Sequence, residues 1–384
     1  MSGFEFRMPG TIISEAGGIR RLVDDHSLRS AARVLLVTDR TLVDLGLAGR
    51  VVEALRRKGV EVFVFDEVET DPSAKTVRQA AAFARANNVD GVVGMGGGSP
   101  MDVAKLAALL AASPQPLEDL YGVDRAKGER HPLVLIPTTA GTGSEVTKVA
   151  VVTADNQDKS PILAPQLMCD TVILDVELTL GLPRKVTAAT GVDAMVHAIE
   201  AFTSGIRKNP VSDRLALHAM ELLYGSIRTV VEDGEQVEAR ARMLTGSMLA
   251  GLAFANATVG AVHALAYPVG AQFHVSHGGS NAVVLVPVMR HNLPEAAPLY
   301  AQIAGAVIPN FENRDEYAAA NRLADALEIL IAEVGLETRL SALGIKRDDV
   351  PQLTEGALRQ QRLLSYNIKP LNRGDIDAIF RAAL

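Results

Sequence analysis

The chain has one cysteine, no tryptophan and few aromatic residues of any kind. The single thiol, Cys169, excludes an internal disulfide, and without a neighbouring histidine or basic group it is not expected to act as a nucleophile. Aromatic residues make up 4% of the 384 residues and hydrophobic residues 48%, so the core must be built from Ala, Val, Leu and Ile. Such a composition is ordinary for an α/β enzyme.

Long runs of one residue class are also absent. The net charge is -7 without a long basic run, so neither nucleic acid nor an anionic membrane is an expected partner. Even the apolar stretch from Gly246 to Ala266 is interrupted by polar residues, so we expect no membrane span. Residues Met1 to Gly10 lack the basic-then-apolar pattern of a signal peptide. We therefore expect a cytoplasmic protein.

The first half of the chain alternates short apolar runs with amphipathic segments. The runs Arg33 to Thr38, Glu61 to Phe65 and Gly91 to Met95 predict strands, and the segments between them predict helices. This alternation is typical of a parallel sheet covered on both faces, with ligands at the carboxyl ends of the strands. Further upstream, Phe4 to Ile13 predicts a hairpin turned at Met8-Pro9-Gly10.

Three consecutive glycines, Gly96 to Gly98, follow the third of these strands. Ser99 is expected to be the N-cap of a helix, with Pro100 at its first position. A glycine turn that leads into a helix N-terminus offers backbone N–H groups and a favourable dipole to a diphosphate. We expect phosphate binding here rather than a plain capped turn. The strict Rossmann spacing is missing, because the glycines are consecutive and the candidate acidic residue, Asp39, precedes them.

A hydroxyl-rich segment, Pro137 to Glu145, follows another predicted strand, and its hydroxyls can hydrogen-bond a nucleotide. From Lys185 onward the sequence instead predicts long helices rich in Ala and Leu, among them Met195 to Thr203 and Pro294 to Ala306. We therefore predict two domains: residues 1–183, an α/β dinucleotide-binding domain, and residues 184–384, an all-helical metal-binding domain.

Most of the histidines gather in the stretch that runs from residue 190 to residue 279. Asp193 and His197 stand four residues apart on a predicted helix and therefore share one face. His263 and His277 follow later in the chain. One carboxylate and three imidazoles suit a divalent transition metal with a position open for a substrate oxygen. Any one of these histidines alone is more simply explained as a surface or core residue.

Spacing along the chain requires a turn inside this stretch. His263 and His277 are 14 positions apart, which is roughly 21 Å on one straight helix. Two residues between them, Pro268 and Gly270, predict a turn that lets the chain fold back. The two imidazoles can then reach one ion.

The motifs in combination resemble the iron-dependent (group III) alcohol dehydrogenases. The resemblance covers nearly the whole chain and rests on Gly96 to Ser99 with Asp102 and Lys105, Pro137 to Glu145, Ala188 to Ala194 with His197, and His263 to Gly278. It implies the dehydroquinate synthase-like/iron-containing alcohol dehydrogenase fold, with the metal at a cleft beside the cofactor domain. It also implies a homo-oligomer, a dimer.

The resemblance implies roles for individual positions. The metal ligands fall on Asp193, His197, His263 and His277. The cofactor contacts fall on Asp39, Gly97, Gly98, Ser99, Asp102, Thr138, Thr139, Thr142 and Lys159. Asp39 matches the residue that holds the adenosine ribose, and its carboxylate would repel a 2′-phosphate, so NAD is the expected cofactor.

Two further residues are candidates for proton transfer. Relatives often carry a histidine four residues after His263, but Tyr267 stands there in this chain, so a proton-relay role at this position is open. His274, three residues before His277, could reach the same cleft or face solvent. The metal is expected to be Fe²⁺, with Zn²⁺ or another divalent ion as alternatives, because ligand types alone do not decide.

The activity implied is hydride transfer between NAD(H) and a small primary alcohol or aldehyde whose oxygen the metal binds. A hydroxy-acid or diol dehydrogenase of the same family is an alternative. A dehydroquinate-synthase-like lyase or a glycerol dehydrogenase would share the fold but usually has another ligand pattern. A metal-independent maleylacetate-reductase-like enzyme and a non-catalytic nucleotide- or metal-sensing protein complete the alternatives.

Overall fold

The computed structural model describes residues 3–155, 159–309, 311 and 315–384. The chain divides into two compact units. The α/β unit comprises Arg7–Thr139 and Gly143–Leu180, and the helical unit comprises Met1–Phe6, Ala140–Thr142 and Gly181–Leu384. The predicted fold class, a parallel sheet domain followed by a helical domain, is confirmed.

Strands are found in the α/β unit, within the residues described. They are β1 (Thr11–Ser14), β2 (Arg33–Val37), β3 (Glu61–Phe65), β4 (Gly91–Gly96), β5 (Gly122–Val123), β6 (Leu133–Pro137), β7 (Val149–Thr153), β8 (Lys159–Leu163) and β9 (Thr171–Leu174). A six-stranded parallel sheet has the order β1-β9-β6-β4-β2-β3, and a three-stranded sheet has the order β5-β8-β7. The strands β4, β6 and β9 are buried along their whole length, which explains their continuous apolar sequence.

The hairpin predicted for Phe4 to Ile13 is wrong. Only Thr11–Ser14 forms a strand there, and it pairs in parallel with β9, so that Ile12 lies opposite Val172. An isolated two-stranded hairpin is marginally stable, whereas pairing with a buried strand of a larger sheet satisfies the backbone groups at lower cost. The turn residues Met8-Pro9-Gly10 therefore do not determine which strand β1 pairs with.

In the residues described, the α-helices of the α/β unit are α1 (Arg40–Asp44), α2 (Leu47–Arg57), α3 (Ala74–Ala86) and α4 (Gly98–Ala112). The helical unit contains α5 (Arg184–Thr203), α6 (Pro210–Tyr224), α7 (Ile227–Glu232), α8 (Val237–Ala257), α9 (Ala261–Phe273), α10 (His277–Val307), α11 (Glu316–Glu333), α12 (Val350–Leu358), α13 (Gln361–Leu364) and α14 (Arg373–Ala383). The predicted helices Met195 to Thr203 and Pro294 to Ala306 are therefore only the carboxyl-terminal parts of α5 and α10.

The centre of the helical unit is α5, which packs against α6, α8 and α10. Almost every residue from Thr187 to Thr203 is buried, so this helix is surrounded on all sides. Polar side chains on it must therefore find partners inside the protein. Within the described residues no single helix is long and apolar enough to cross a membrane, although α8 and α9, bent by 108°, reach that length and composition as a pair.

Candidate metal centre

Asp193 and His197 lie one turn apart on α5, and both are buried. Their spacing of four residues brings the Asp193 Oδ1 and His197 Nε2 atoms to 4.0 Å from each other, as the helical periodicity predicts. Because α5 is buried on every side, neither group can be hydrated by bulk solvent. Both side chains therefore point into the interior of the helical unit.

His263 and His277 come from α9 and α10. His263 is the third residue of α9, and His277 is the first residue of α10. The prediction that the chain turns at Pro268 and Gly270 is wrong, because α9 continues through both residues to Phe273. The turn lies at His274, whose φ is 54°, and at Ser276, whose side chain accepts a hydrogen bond from the Gly279 N–H and so caps α10.

Gly278 lets the backbone of α10 come into direct contact with the backbone of α5. A Cβ atom at this position would lie 2.0 Å from the carbonyl oxygen of Ala189 and 2.6 Å from its carbonyl carbon. Real Cβ atoms do not make contacts this short, so only glycine fits. Ala189 precedes Asp193 by one helical turn, and this close approach sets His277 beside Asp193.

The four predicted ligands converge. One donor atom from each of Asp193, His197, His263 and His277 lies within 4.8 Å of all the others. The Asp193 Oδ1 atom is 4.0 Å from His263 Nε2 and 3.5 Å from His277 Nε2, and the Nε2 atoms of His197 and His263 are 3.1 Å apart. His277 is the most accessible of the four, with 41% of its side chain exposed.

The other ring nitrogens of two histidines have partners that fix which nitrogen faces the cluster. His197 Nδ1 lies 3.3 Å from the carbonyl oxygen of Gly141, which can only accept, so this nitrogen carries the proton. His263 Nδ1 lies 2.5 Å from a carboxylate oxygen of Glu200. In both rings the Nε2 lone pair is then directed at the cluster, as a metal ligand requires.

Charge in the cluster also favours a cation. Burial lowers the pKa of His197 to about 3, so this ring is neutral at physiological pH. Burial alone would raise the pKa of Asp193, but the three histidines and Asn281 hold it below its ordinary value, so the carboxylate stays ionised. The Glu200 carboxylate, in contrast, raises the pKa of His263 despite the burial of this ring. A buried carboxylate facing three imidazole rings is a donor set that suits a divalent transition metal, and the residues present fit such an ion.

Asn281, one turn after His277 on α10, is fully buried beside the cluster. Its Nδ2 donates to Asp193 Oδ1 at 2.6 Å and lies 3.4 Å from His277 Nε2. Its Oδ1 is buried and has no hydrogen-bond partner among the residues that the structure describes. The amide therefore holds the carboxylate that the three histidines face.

Aromatic rings surround the histidines. Phe254 stacks on His197 with ring centroids 4.4 Å apart, and Tyr267 stacks on His277 with centroids 5.8 Å apart. Tyr267 also meets His263 edge to face at 6.4 Å. His274 lies exposed on the turn between α9 and α10, and the ring contacts of the described residues bring Tyr267 but not His274 to the ligands.

The glycine turn of the α/β unit leads into a helix as predicted, but the helix begins two residues earlier. Gly97 is the N-cap of α4 and Gly98 its first residue, so the N-cap predicted for Ser99 is wrong. The reason is that an extended glycine can occupy the N-cap position, which leaves the Ser99 side chain free for another partner. Ser99 Oγ accepts a hydrogen bond from the Asp71 N–H at 3.2 Å.

Lys159 lies near the same turn. Its ammonium group is 2.7 Å from Asp71 Oδ1 and donates to Thr153 Oγ1 at 3.1 Å. Through Asp71, whose backbone bonds Ser99, the structure brings Lys159 and the start of α4 together. Asp71 was not predicted as a site residue, and its φ of 58° is a conformation that few residues other than glycine adopt.

Asp102 has no free carboxylate oxygen. Its Oδ1 accepts from Ser144 Oγ at 2.6 Å and lies 3.4 Å from Lys105 Nζ, while its Oδ2 accepts from the Val151 N–H at 2.9 Å. Lys105 is fully buried and also donates to the carbonyl oxygen of Val149 at 2.7 Å. Asp102 thus ties α4 to the strand β7, which makes it a support of the glycine turn.

The remaining predicted cofactor residues lie at strand ends. Asp39 follows β2 and caps α1, accepting a hydrogen bond from the Leu42 N–H at 3.0 Å. Thr138 and Thr139 follow β6, and the Thr139 side chain lies 3.7 Å from where a Gly97 Cβ would be. Thr142 is grouped with the helical unit.

Two functional candidates, Glu200 and Asn281, were not predicted from the sequence. Glu200 lies seven residues after Asp193 and three after His197, so the helical periodicity that selected those two residues also places Glu200 on their face. Asn281 follows His277 by four residues. The helical spacing places both residues near the predicted ligands, but spacing alone does not distinguish a residue that holds a ligand from an ordinary polar residue.

Two family models match the chain, and together they cover nearly all of it. Residues 9–176 match the iron-containing alcohol dehydrogenase model, and residues 187–384 match the C-terminal model of the Fe-containing alcohol dehydrogenase family. The long-chain-alcohol dehydrogenase 1 of Geobacillus thermodenitrificans (strain NG80-2) is 41% identical over 370 residues, which are 96% of this chain and 93% of that protein.

Solved structures of similar proteins support the same family. A crystal structure of a 1,3-propanediol oxidoreductase superposes with a TM-score of 0.96 at 34% identity and covers both chains completely. The sulfoacetaldehyde reductase of Bifidobacterium kashiwanohense in complex with NAD⁺ superposes with a TM-score of 0.90 at 29% identity, covering 100% of this chain and 99% of that one. With its four converging ligands and these matches, the chain belongs to the iron-containing alcohol dehydrogenase family.

Proposed function

We propose that the protein is an NAD-linked, iron-dependent dehydrogenase that interconverts primary alcohols and aldehydes. The observation that carries the proposal is the convergence of Asp193, His197, His263 and His277 within 4.8 Å. A bound divalent ion would supply a Lewis acid for the substrate oxygen, and NAD would supply the hydride acceptor. The chain supplies position and charge to both.

The proposed cofactor site combines Asp39, Gly97, Gly98, Ser99, Asp102, Thr138, Thr139, Thr142 and Lys159. The N-terminus of α4 offers backbone N–H groups to the diphosphate, and the half-buried Lys159 adds a positive charge beside it. Asp39 would hold the ribose hydroxyls and disfavour a 2′-phosphate. Asp102 would act by holding α4 in place, since its oxygens are already engaged. The NAD⁺ complex of the similar sulfoacetaldehyde reductase supports this cofactor.

Tyr267 is the proposed proton-transfer group, because its ring packs on two of the four ligands. His274 is the second candidate, and its exposed position would connect the cluster to solvent. A tyrosine at this position transfers a proton less readily at neutral pH than a histidine does, since their ordinary pKa values are about 10 and 6.5.

The proposed substrates are primary alcohols with an apolar chain. Phe254 stacks on His197 and presents an apolar surface beside the donor atoms. Similar proteins carry the names long-chain-alcohol dehydrogenase and 1,3-propanediol oxidoreductase, which supports a terminal hydroxyl and leaves a diol as the second candidate.

The decisive experiment is turnover with and without metal. Protein purified anaerobically, stripped of metal and reloaded with Fe²⁺ or Zn²⁺ should form NADH from a panel of primary alcohols only when reloaded. Full activity of the stripped protein would favour a metal-independent reductase, and NAD binding without any turnover would favour a sensing protein.

Single substitutions test the ligand set. His263→Ala and His277→Ala should lose both stoichiometric metal and turnover while NAD still binds. The matched control is His218→Ala, because His218 is exposed on α6 and pairs only with Glu221 among the contacts described. Stoichiometric metal and near-normal rates in both ligand variants would refute the assignment.

We further propose a homodimer in the cytoplasm. The resemblance to the iron-containing alcohol dehydrogenases supports this proposal. Light scattering of the purified protein should give twice the mass of the 40.7 kDa chain. A monomer at micromolar concentration would refute this.

A further inference from the structure

Glu200 is a buried carboxylate next to the metal ligands that is not itself one of them. It lies on α5 one turn after His197, and only 6% of the residue is exposed. An ionised carboxylate is costly to bury unless its oxygens are hydrogen-bonded. The contacts of Glu200 therefore show what it does.

Both oxygens of Glu200 are used on the first turn of α9. Oε1 accepts a hydrogen bond from the Val262 backbone N–H at 2.6 Å. Oε2 accepts from the His263 Nδ1–H at 2.5 Å. The first N–H groups of a helix have no partner inside it, and the helix dipole is positive at this end, so a carboxylate stabilises α9 here.

The chain leaves room for this contact at Gly260, just before α9. A Cβ atom there would lie 3.4 Å from Glu200 Oε1 and 3.5 Å from the backbone of Asn367. Both distances are ordinary van der Waals contacts, so the carboxylate lies directly against this position, in front of the helix.

We propose that Glu200 is a positioning residue of the metal centre, acting through His263. The carboxylate accepts only, so it requires the proton on Nδ1 and leaves the Nε2 lone pair facing Asp193 and His197. It also fixes the ring plane by holding the adjacent backbone. The inference rests on the proposed metal-dependent function and adds a residue that this function does not assign.

Glu200 also acts on the electron density of a ligand ring, because its Oε2 lies 2.5 Å from His263 Nδ1. A carboxylate on the outer nitrogen of a ligand histidine increases the electron density that the ring donates. Removal of this charge should therefore weaken binding of the ion even when the shape of the site is kept.

The test compares Zn²⁺ affinity, by competition with a chromogenic chelator, in the wild type and in Glu200→Gln. The glutamine keeps the volume and one acceptor but loses the charge and presents an N–H₂ group to one of its two partners. We expect Zn²⁺ binding weaker by about 10- to 100-fold. The Co²⁺-substituted variant should also show shifted d–d absorption bands, which report the ligand geometry and would not move if Glu200 only stabilised the helix.

The matched control is Glu221→Gln. Glu221 Oε2 also contacts a histidine Nδ1, that of His218, at 2.9 Å, but this pair is exposed on α6 and is separate from the cluster. Its Zn²⁺ affinity and Co²⁺ spectrum should equal those of the wild type. If Glu200→Gln behaves like Glu221→Gln in both measurements, the role assigned to Glu200 is overturned.

A measurement on the wild type covers the case in which Glu200→Gln does not fold. In Zn²⁺-loaded protein labelled with ¹⁵N-histidine, His263 should be the Nδ1–H tautomer, and an Nε2–H tautomer would overturn the proposal. Wild-type protein that binds no Zn²⁺ at all would refute the proposed metal-dependent function as well. Wild-type protein that binds Zn²⁺ no better than Glu200→Gln would refute the Glu200 role alone.

Discussion

Substitution of Gly278 by alanine should separate α10 from α5 and so remove His277 from the metal centre. The added methyl group would meet the carbonyl oxygen of Ala189 at 2.0 Å, and an ordinary van der Waals contact starts near 3.4 Å. The two helix backbones must therefore move apart by about 1.4 Å, since the obstacle is backbone and cannot rotate away.

The size of this shift sets the expected effects. Overpacking of a core costs about 1–3 kcal/mol, and the upper end applies when backbone must move. Metal sites tolerate distance errors of only about 0.2 Å, so a displacement several times larger removes His277 as a ligand. Zn²⁺ affinity should fall by more than about 100-fold, beyond the effect of losing an outer partner of a ligand.

Denaturant unfolding of the metal-free protein and chelator competition measure the two effects. Gly305→Ala is the control, because Gly305 lies on the same helix and, outside the backbone of that helix, no atom of the described residues lies within 4 Å of the added Cβ. That variant should be stabilised by up to about 1 kcal/mol and bind Zn²⁺ normally. Wild-type stability and Zn²⁺ affinity in Gly278→Ala would show that the close approach of the helices does not position His277.

Three other substitutions test separate features. Asp39→Gly should raise NADP turnover relative to NAD in steady-state kinetics, since a 2′-phosphate is no longer repelled, and an unchanged ratio would mean that Asp39 is not at the ribose. Thr258→Gly should stabilise the protein by about 1 kcal/mol in urea unfolding, because Thr258 has a φ of 80° and a ψ of 165°. A loss of stability there would show that the threonine side chain contributes more than the strain costs. Asn281→Leu should weaken Zn²⁺ binding by about 10-fold and destabilise the metal-free protein by about 1–3 kcal/mol, because the buried Asp193 Oδ1 loses its donor, and unchanged affinity would contradict the hold of Asn281 on Asp193.

Periodicity was sufficient for most of the fold. The strands β2, β3 and β4 are short apolar runs between amphipathic helices, and this pattern has few solutions other than a parallel sheet. The pairing of β1 with β9 joins residues about 160 positions apart and depends on tertiary contacts that no local pattern encodes. The predicted hairpin failed for that reason.

The turn between His263 and His277 shows the limit of a local rule. Proline usually ends a helix because it lacks an N–H donor, but Pro268 lies inside α9, where packing against α10 and α12 outweighs the lost hydrogen bond. The turn instead uses the left-handed conformation of His274 and the cap at Ser276. Ser276 could have predicted the start of α10, since serine is a preferred N-cap residue.

The metal ligands were predicted as a set, and the structure brings them together, but the groups that hold them were not predicted. Asp193 and His197 could be paired from their spacing on one helix. Glu200 and Asn281 have the same kind of spacing from known ligands, but their roles depend on how α5, α9 and α10 face each other. Only the packed structure supplies that information.

The proposed metal ligands come from three helices, with α5 contributing two and α9 and α10 one each. The site exists only when these helices are packed, so an ion would bind the native chain and not the unfolded one. Free metal therefore adds to the free energy of unfolding, by about 2.7 kcal/mol at a concentration of 100 times its Kd. The metal supply of the cell would then set the stability of the folded protein as well as its rate of turnover.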